Sequence, residues 1–535
     1  MVNSLSDPYV KAFRWATDRL PEKGPGILAY VSNSSYISQL AGDGMRKHLA
    51  RDFDAIYVLD LGGNVRRNPK LSGTTHNVFG IQVGVAIGFF VRRNRAGASP
   101  SAPEVYYART GEDWRRDEKY RFLETKIDVG GVEWKRVEPD TKHTWLTDGL
   151  REDFDSLVPL VVPAGAGRTG GIFALASNGL KSQRDAIAWN FNQDGLIAGI
   201  KRFCTDYSMT QAMREASPDP FDPGSIASAT WLKWSDTLRA HLDRKTKIAF
   251  DEARVRPGVY RPFVDQFVYV APLVVDRPGH AAACFPKHSR WPAIVVSDKG
   301  ARSAFSVLAV AGVPELHLCA STDGHQYFPA ADPTTGVGDD NITDWSLGEF
   351  RRHYADDTIT KWNIFHYVYA LLHHPDYRTR YEANLRRELP RIPFAPDFHG
   401  FARAGERLMT LHVDYEKQAE FPLRRIEAPG EKLNLRVEKM KLTRDRSGIV
   451  YNDFLTLAGI PPEALEYRLG NRSALEWIID QYQVSTDKRS GITNDPNRLD
   501  DEEAIVRLIG QVTQVSVETV KIVKSLPPLD GAATS

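Results

Sequence analysis

Cysteine is scarce in this chain, and long apolar runs are absent. The three cysteines, Cys204, Cys284 and Cys319, are far apart in the 535 residues. This spacing excludes a Cys-x-x-Cys zinc site and offers no disulfide framework. No run of about eighteen apolar residues occurs, and the start has no basic segment followed by an apolar core. We therefore expect a cytoplasmic protein with neither a membrane span nor a signal peptide.

Common signatures of catalysis are absent as well. The sequence has no Gly-x-x-x-x-Gly-Lys-Ser/Thr loop for nucleotide phosphates and no Gly-x-Ser-x-Gly turn for a nucleophilic serine. The glycines in residues 60–64 and 163–171 lack the strand, Gly-x-Gly-x-x-Gly and helix context of a cofactor loop. We interpret them as a turn and a connector, with phosphate contact by Arg168 as the alternative in the second. His366 and His373 share a helix face without a carboxylate ligand, which favours packing over metal binding.

Charge is balanced overall but unevenly spread. The formal net charge is +1 and the sequence pI is about 7.8. Residues 432–446 are basic, whereas residues 339–344 and 500–503 are acidic. A local basic face can bind nucleic acid within a near-neutral protein, although a solvated surface is the simpler interpretation of each charge run. The length favours about three domains.

Helices and apolar strands alternate in the first part of the chain. The spacing of apolar residues predicts helices at 7–20 and 41–53, and strands at 26–32, 55–61 and 82–91. Such alternation predicts a parallel or mixed sheet covered on both faces. Ligands bind such sheets at the carboxyl ends of the strands, normally near the first βα turn. We expect the first βα turns of this sheet to lie outside the chain.

Several longer stretches carry a family resemblance. They are Asp7-Pro-Tyr-Val-Lys-Ala-Phe-Arg-Trp-Ala16, Tyr260-Arg-Pro-Phe263 and residues 26–37, 58–64, 76–80, 172–185, 363–373, 389–394 and 473–478. With these stretches the chain resembles the C-terminal part of the type ISP restriction-modification enzymes, single-chain proteins of phage defence. The resemblance implies an α/β fold with the distal half of a Rossmann-like adenine methyltransferase sheet at residues 1–130. A mixed α/β target-recognition region at 131–345 and a mainly helical part of the specificity domain at 346–535 would follow.

The departures from that family concern catalysis. Its nuclease, helicase motor, S-adenosylmethionine loop and Asn-Pro-Pro-Tyr turn precede the matched stretches, and no Asn-Pro-Pro-Tyr or Asp-Pro-Pro-Tyr occurs in this sequence. That turn holds the amine of a flipped base and stacks on its ring. We therefore expect no catalytic, cofactor-binding or metal-binding residue in this chain, and S-adenosylmethionine only in a complete enzyme.

Polar clusters between the strands of the middle region are the candidates for DNA contact. We expect strands at 267–275, 293–297 and 304–310, with loops that present side-chain donors. Arginine and glutamine pair with base edges, and lysine and arginine with phosphates. The candidates are Lys181, Gln183, Arg184, Arg261, Arg277, Lys287 and Arg290. Ser182 and Asp185 are explained by helix capping alone, and an internal carboxylate partner is the alternative role of Arg261.

The last part of the sequence predicts helices. An apolar stripe over residues 364–372 ends at Pro375, and a charged helix at 381–389 follows. Ser473 and Glu476 form a capping-box pattern at the start of a helix. We expect a final helix at residues 502–508.

Three hypotheses follow. In the leading one, the chain reads a duplex DNA site as the specificity portion of a type ISP-like system, and a separate upstream polypeptide supplies methylation and the motor and nuclease. In the second, it is a truncated, inactive remnant of such an enzyme. In the third, it is an autonomous enzyme whose site is not recognised.

Overall fold

The structure is a computed structural model and describes residues 6–21, 24–64, 75–93, 103–111, 113–163, 165–217, 220–279, 291–320, 323–331 and 340–530. It divides into two compact units, Met1–Arg151 and Glu152–Ser535. The three-part division at residues 130 and 345 stays a prediction.

The described part of the first unit contains a mixed five-stranded sheet. Its strands are β1 (Gly26–Asn33), β2 (Ala55–Gly62), β3 (Val85–Arg92), β4 (Glu104–Arg109) and β5 (Lys135–Val137), and its helices are α1 (Pro8–Thr17), α2 (Ser35–Ser38), α3 (Asp43–Asp52) and α4 (Arg116–Thr125). The strand order is β1-β3-β2-β4-β5. Only β2 and β4 are parallel, while β1 and β2 both run antiparallel to β3. The predicted parallel or mixed sheet is therefore a mixed one.

Both faces of this sheet are buried in its middle. On one face, Ile56 of β2 and Phe90 of β3 pack with Phe13 of α1. On the other, Leu59 and Val85 belong to a second cluster, which α4 flanks. This alternation explains why β2 and β3 appear in the sequence as nearly continuous apolar runs.

The turn after β2 has a structural role. The Asp60 carboxylate accepts a hydrogen bond from the Gly62 amide at 2.8 Å. Gly63 has φ +76°, and an added Cβ would lie 2.7 Å from the backbone oxygen of His76. Glycine is required here because of both the conformation and the close approach. The geometry supports the interpretation of residues 60–64 as a turn.

The second unit combines several small sheets with long helices. Its strands are β6 (Val158–Pro159), β7 (Ser177–Asn178), β8 (Trp189–Asn190), β9 (Val255–Arg261), β10 (Val264–Tyr269), β11 (Ala293–Ser297), β12 (Val307–Val310), β13 (Val313–Pro314), β14 (His325–Pro329), β15 (Arg391–Ile392), β16 (Arg424–Glu427), β17 (Lys441–Leu442), β18 (Gly448–Val450), β19 (Leu455–Ala458), β20 (Arg468–Leu469), β21 (Arg472–Ser473), β22 (Ser485–Thr486) and β23 (Thr493–Asn494). Its helices are α5 (Asp185–Ala188), α6 (Gln193–Ala216), α7 (Asp236–Asp243), α8 (Asp344–Tyr354), α9 (Lys361–His373), α10 (Pro375–Arg380), α11 (Glu382–Leu385), α12 (Phe398–Val413), α13 (Glu463–Glu466), α14 (Ala474–Gln481) and α15 (Ala504–Lys524).

Two hydrophobic cores lie on opposite faces of the sheet β12-β11-β14-β7. Along β11, Ala293 and Val295 belong to the core that also contains Trp189 and Trp477. The alternate residues, including Ile294, belong to a core that contains helices α9 and α12. The sheet is thus covered on both sides, and its strands β11 and β12 are almost entirely apolar for that reason.

Helices α9 and α12 pack closely against each other. A Cβ at Gly405 would lie 1.8 Å from the His366 backbone oxygen, so only glycine permits this approach. His373 is buried, and its Nδ1 lies 2.8 Å from the Tyr369 oxygen. His373 therefore packs within the helical core, whereas His366 is half-buried beside the Trp362 ring. Within the described ranges no group of three or more His, Cys, Asp or Glu side chains is placed to hold a metal.

Several predicted elements differ from the structure. The strand predicted at 304–310 begins at Val307, and the charged helix predicted at 381–389 covers only Glu382–Leu385. Strand β10 ends at Tyr269 rather than at residue 275, because the chain turns at Pro272 and the Val275 amide donates to the Ala271 oxygen at 2.8 Å. The final helix continues to Lys524. Its β-branched run has low helix propensity, but burial overrides that preference, and Thr513, Ser516 and Thr519 each donate to the carbonyl four residues earlier at 2.7 Å. None of the described helices is long and apolar enough to cross a bilayer.

Candidate nucleic-acid interface

Two of the candidate contact residues are brought together by backbone pairing. The Lys181 amide donates to the Arg277 oxygen at 3.0 Å, and the Arg277 amide donates to the Lys181 oxygen at 3.1 Å. Arg277 is exposed and Lys181 half-buried. Neither cation forms an ion pair with a carboxylate in the part of the chain that the structure describes. The fold thus presents two free positive charges side by side.

Gln183 lies on the same loop and is exposed. Its backbone has φ +63°, which non-glycine residues rarely adopt. The neighbours on either side, Ser182 and Arg184, are buried. The left-handed conformation therefore places a free-standing amide at the surface between two anchored residues. Such an amide can donate to and accept from one base edge.

Arg184 is anchored in the interior. Its Nη1 donates to Asp276 at 2.8 Å and to the Leu273 and Val274 oxygens at 3.2 and 3.1 Å, and its Nη2 donates to Ser235 Oγ at 2.7 Å. The side chain is 0% exposed. In this conformation the guanidinium offers no surface to DNA. The geometry favours a structural role, and DNA contact by Arg184 stays an untested prediction.

Arg261 is paired with a buried carboxylate. Its Nη1 lies 2.7 Å from Glu315 Oε2, and its guanidinium lies 4.1 Å from the centre of the Tyr260 ring. Glu315 also accepts a hydrogen bond from the His317 amide at 2.6 Å. Burial raises the pKa of Glu315 to about 7, although Arg261 opposes this shift. Arg261 therefore has the internal carboxylate partner that the sequence analysis gave as its alternative role. Base contact by Arg261 stays a prediction.

Tyr260 and Ser182 hold the loop at residues 181–185 through Asp185. The Tyr260 hydroxyl donates to Asp185 Oδ2 at 3.0 Å, and the Ser182 hydroxyl donates to Asp185 Oδ1. Ser182 Oγ also accepts from the Arg184 amide at 3.2 Å. The prediction that Ser182 or Asp185 caps this helix is therefore wrong, because no side chain caps α5, which is only four residues long. Side-chain hydrogen bonds, rather than a helix, hold the loop in its conformation.

Three further cations near this loop were not among the sequence candidates. Lys233, Lys488 and Arg489 line a cleft of about 590 Å³ together with α5. All three are exposed. The Lys-Arg-Ser-Gly turn at 488–491 was the available sequence signal, but nothing in the sequence placed it beside α5. Lys287 and Arg290 lie outside the described residues, so their role stays a prediction.

Comparison with known proteins identifies the family of this chain. The model of the Type ISP C-terminal specificity domain matches residues 171–508. The chain belongs to this family. All of the DNA-contact candidates predicted from the sequence, from Lys181 to Arg290, lie within that range. No curated protein matches the chain.

Three solved Type ISP relatives share the fold over almost the whole chain. A nuclease-deletion mutant of LlaGI in complex with a DNA substrate mimic has a TM-score of 0.85 and 28% identity, and the match covers 99% of this chain and 48% of that one. The DrdV–DNA complex has a TM-score of 0.83 and 32% identity, and the match covers 98% of this chain and 52% of that one. LlaBIII bound to DNA has a TM-score of 0.86 and 28% identity, and the match covers 98% of this chain and 35% of that one. The chain spans about half the length of these relatives or less.

Proposed function

We propose that this chain recognises a duplex DNA site as the specificity part of a Type ISP restriction-modification system. The observation that carries the proposal is the match over at least 98% of the chain to three relatives whose structures contain DNA or a DNA mimic. A shared specificity-domain family and a fold shared over this extent support a common role in DNA target recognition.

The proposed contact surface is Lys181, Gln183 and Arg277. The two cations are free of described carboxylates and are held in register by a pair of backbone hydrogen bonds. Cations on a rigid frame bind phosphates and set the position of the protein on the duplex. The Gln183 amide, two residues after Lys181 on the same loop, has the donor and acceptor that pair with adenine in the major groove. Two positioning residues and one reading residue thus lie on one rigid loop pair.

Replacing Lys181 and Arg277 together with alanine is expected to reduce the salt dependence of DNA binding. Each phosphate contact contributes about −0.9 to the slope of log affinity against log salt, so the double variant should lose about two units. Fluorescence anisotropy of a labelled duplex between about 50 and 200 mM salt measures this slope. A matched control is Lys521→Ala with Lys524→Ala, exposed cations paired with Glu518 and Glu466. An unchanged slope in the first variant would remove these two residues from the interface.

The open edge of β1 supports a partner for the first unit. Among the described strands β1 pairs with β3 alone. On one face of β1, the side chains of Ile27 and Val31 are 67% and 51% exposed. An unpaired strand with exposed apolar side chains is a template for a further strand. We propose that an upstream polypeptide with the donor loop and the Asn-Pro-Pro-Tyr turn adds its strand here, so that S-adenosylmethionine binds only to the combined protein.

Coexpression of this chain with the product of the upstream reading frame is expected to yield a stable complex. Val31→Asp is expected to weaken the affinity between the two polypeptides by at least tenfold, because it introduces a charge into an apolar contact. Pull-down and calorimetry measure association, while labelled S-adenosylmethionine reports methylation. Glu133→Gln, at an exposed residue of the same unit, is the control. Methylation by this chain alone would favour an autonomous enzyme. An upstream frame full of stop codons would favour the remnant.

A further inference from the structure

The cleft beside α5 is built from segments that are distant in sequence. Its lining includes Asp185 and Ala186 of α5, Trp231 and Lys233, and the loop of Asp487, Lys488 and Arg489. The volume is about 590 Å³. Because Asp185 lines the cleft and is hydrogen-bonded to Ser182, the cleft lies next to the loop at residues 181–185 that is proposed to contact DNA.

The charges of the cleft are arranged asymmetrically. Lys233, Lys488 and Arg489 are exposed, and none of them forms an ion pair with a carboxylate in the described parts of the chain. The two acids of the lining are occupied by internal donors. Asp185 accepts from Tyr260 and Ser182, and Asp487 accepts from the Ser490 amide at 2.7 Å and the Ser490 hydroxyl at 2.8 Å. The hydrogen bond from the Ser490 amide lowers the pKa of Asp487. The three cations are therefore exposed, while the acids serve the loop structure and Asp487 also interacts electrostatically with the neighbouring Arg489.

The cationic loop is held in place before any ligand binds. Strands β22 and β23 flank it, and the hydroxyls of Thr486 and Thr493 lie 2.9 Å apart. Arg202 donates to the Ser490 oxygen at 2.9 Å, and the Asn494 side chain accepts from the Phe191 amide at 2.8 Å. These bonds anchor the loop to α6 and to the segment just after β8. A preorganised loop loses less conformational entropy on binding than a mobile one does.

Lys233 is held in an uncommon backbone conformation. Its φ is +53°, in the left-handed region that lysine rarely adopts. Such residues occur preferentially at ligand sites, where the surrounding structure maintains them. Here the preceding Trp231 and Leu232 are buried and fix the chain on one side. Lys233 lines the same cleft as Lys488 and Arg489.

A second groove adjoins the cleft and differs from it chemically. It has a volume of about 360 Å³ and shares Asp185, Ala186 and Asp487 with the cleft. Its lining includes four side-chain amides, those of Gln266, Gln481, Gln483 and Asn494. Cations next to amides are the combination that contacts a phosphate backbone and the base edges beside it.

We infer that the cleft between α5, Lys233 and the loop at 487–489 is a second DNA contact that holds backbone phosphates through Lys233, Lys488 and Arg489. This inference rests on the proposed function and adds to it a separate phosphate-binding wall beyond Lys181 and Arg277. The amide-lined groove next to the cleft then receives the base edges of the same stretch of duplex.

The test is salt-dependent binding of a labelled duplex of about thirty base pairs by the full chain. In Lys488→Ala with Arg489→Ala, the slope of log affinity against log salt concentration should become shallower by about two units. Adding Lys233→Ala should make it shallower by about one unit more. The Lys521→Ala/Lys524→Ala variant should keep the wild-type slope. Because all three side chains are exposed, the thermal unfolding midpoint of each variant should equal that of the wild type, and Lys488→Gln with Arg489→Gln provides a second neutral pair.

The outcomes separate the two proposals. A wild-type slope in both the alanine and the glutamine pairs, with binding otherwise intact, overturns the phosphate cleft and leaves DNA recognition standing. Absence of any salt-dependent binding by the wild-type chain overturns both. A loss of slope in the two pairs, without a change in unfolding, supports the cleft.

Discussion

Replacing Arg184 with alanine is expected to lower the free energy of unfolding of the second unit by about 3–5 kcal/mol. The substitution leaves Asp276, whose side chain is 8% exposed, without its cationic partner. It also removes the donor to the Leu273 and Val274 oxygens. A buried charge and two carbonyls without their partner cost far more than the lost packing of one side chain. Denaturant unfolding followed by tryptophan fluorescence measures the change.

Lys181→Ala is the matched control because Lys181 lies on the same loop and forms no described ion pair. Its effect on stability should stay within about 0.5 kcal/mol. In an Arg184→Ala/Asp276→Ala double variant part of the loss should be recovered, since the uncompensated carboxylate is gone. If Arg184→Ala were as stable as the wild type but weak in DNA binding, the guanidinium would be at the surface and would contact DNA as the sequence predicts.

The stability of the second unit should also depend on pH through Glu315. Burial raises the pKa of this carboxyl from an ordinary 4.5 to about 7, so the folded state binds its proton more tightly than the unfolded chain does. The contribution of Glu315 is therefore fully present below pH 4.5 and is lost as the pH rises through 7. Since a tenfold change in proton affinity corresponds to about 1.4 kcal/mol, the loss is at most about 3.5 kcal/mol.

Glu315→Gln tests this dependence because the amide keeps the shape and the hydrogen bonds but does not titrate. Urea unfolding at pH 5 and pH 7.5 should show a smaller difference between the two conditions for this variant than for the wild type. Glu431→Gln, at an exposed residue, should retain the wild-type difference. Equal pH dependence in all three proteins would mean that the ion pair with Arg261 outweighs burial and keeps Glu315 ionised.

Local patterns predicted the elements whose formation depends on neighbouring residues. Strands β1, β2 and β11 lie within two residues of their predicted bounds, because short apolar runs between polar turns are local signals. The capping box of Ser473 and Glu476 is confirmed, with the Glu476 amide 3.2 Å from Ser473 Oγ. The length of α15 was missed because buried surroundings, rather than helix propensity, stabilise its β-branched half.

The sequence by itself determined the family resemblance, the mixed α/β character and the absence of the donor-loop and Asn-Pro-Pro-Tyr motifs, since these depend on residues that are close together in the chain. Only the tertiary structure decided which cations are available. Lys181 and Arg184 look equivalent on one polar loop, yet Asp276 pairs with Arg184 and Arg277 lies beside Lys181. Burial and ion pairing depend on residues from distant parts of the chain, and a linear pattern of charges contains no record of them.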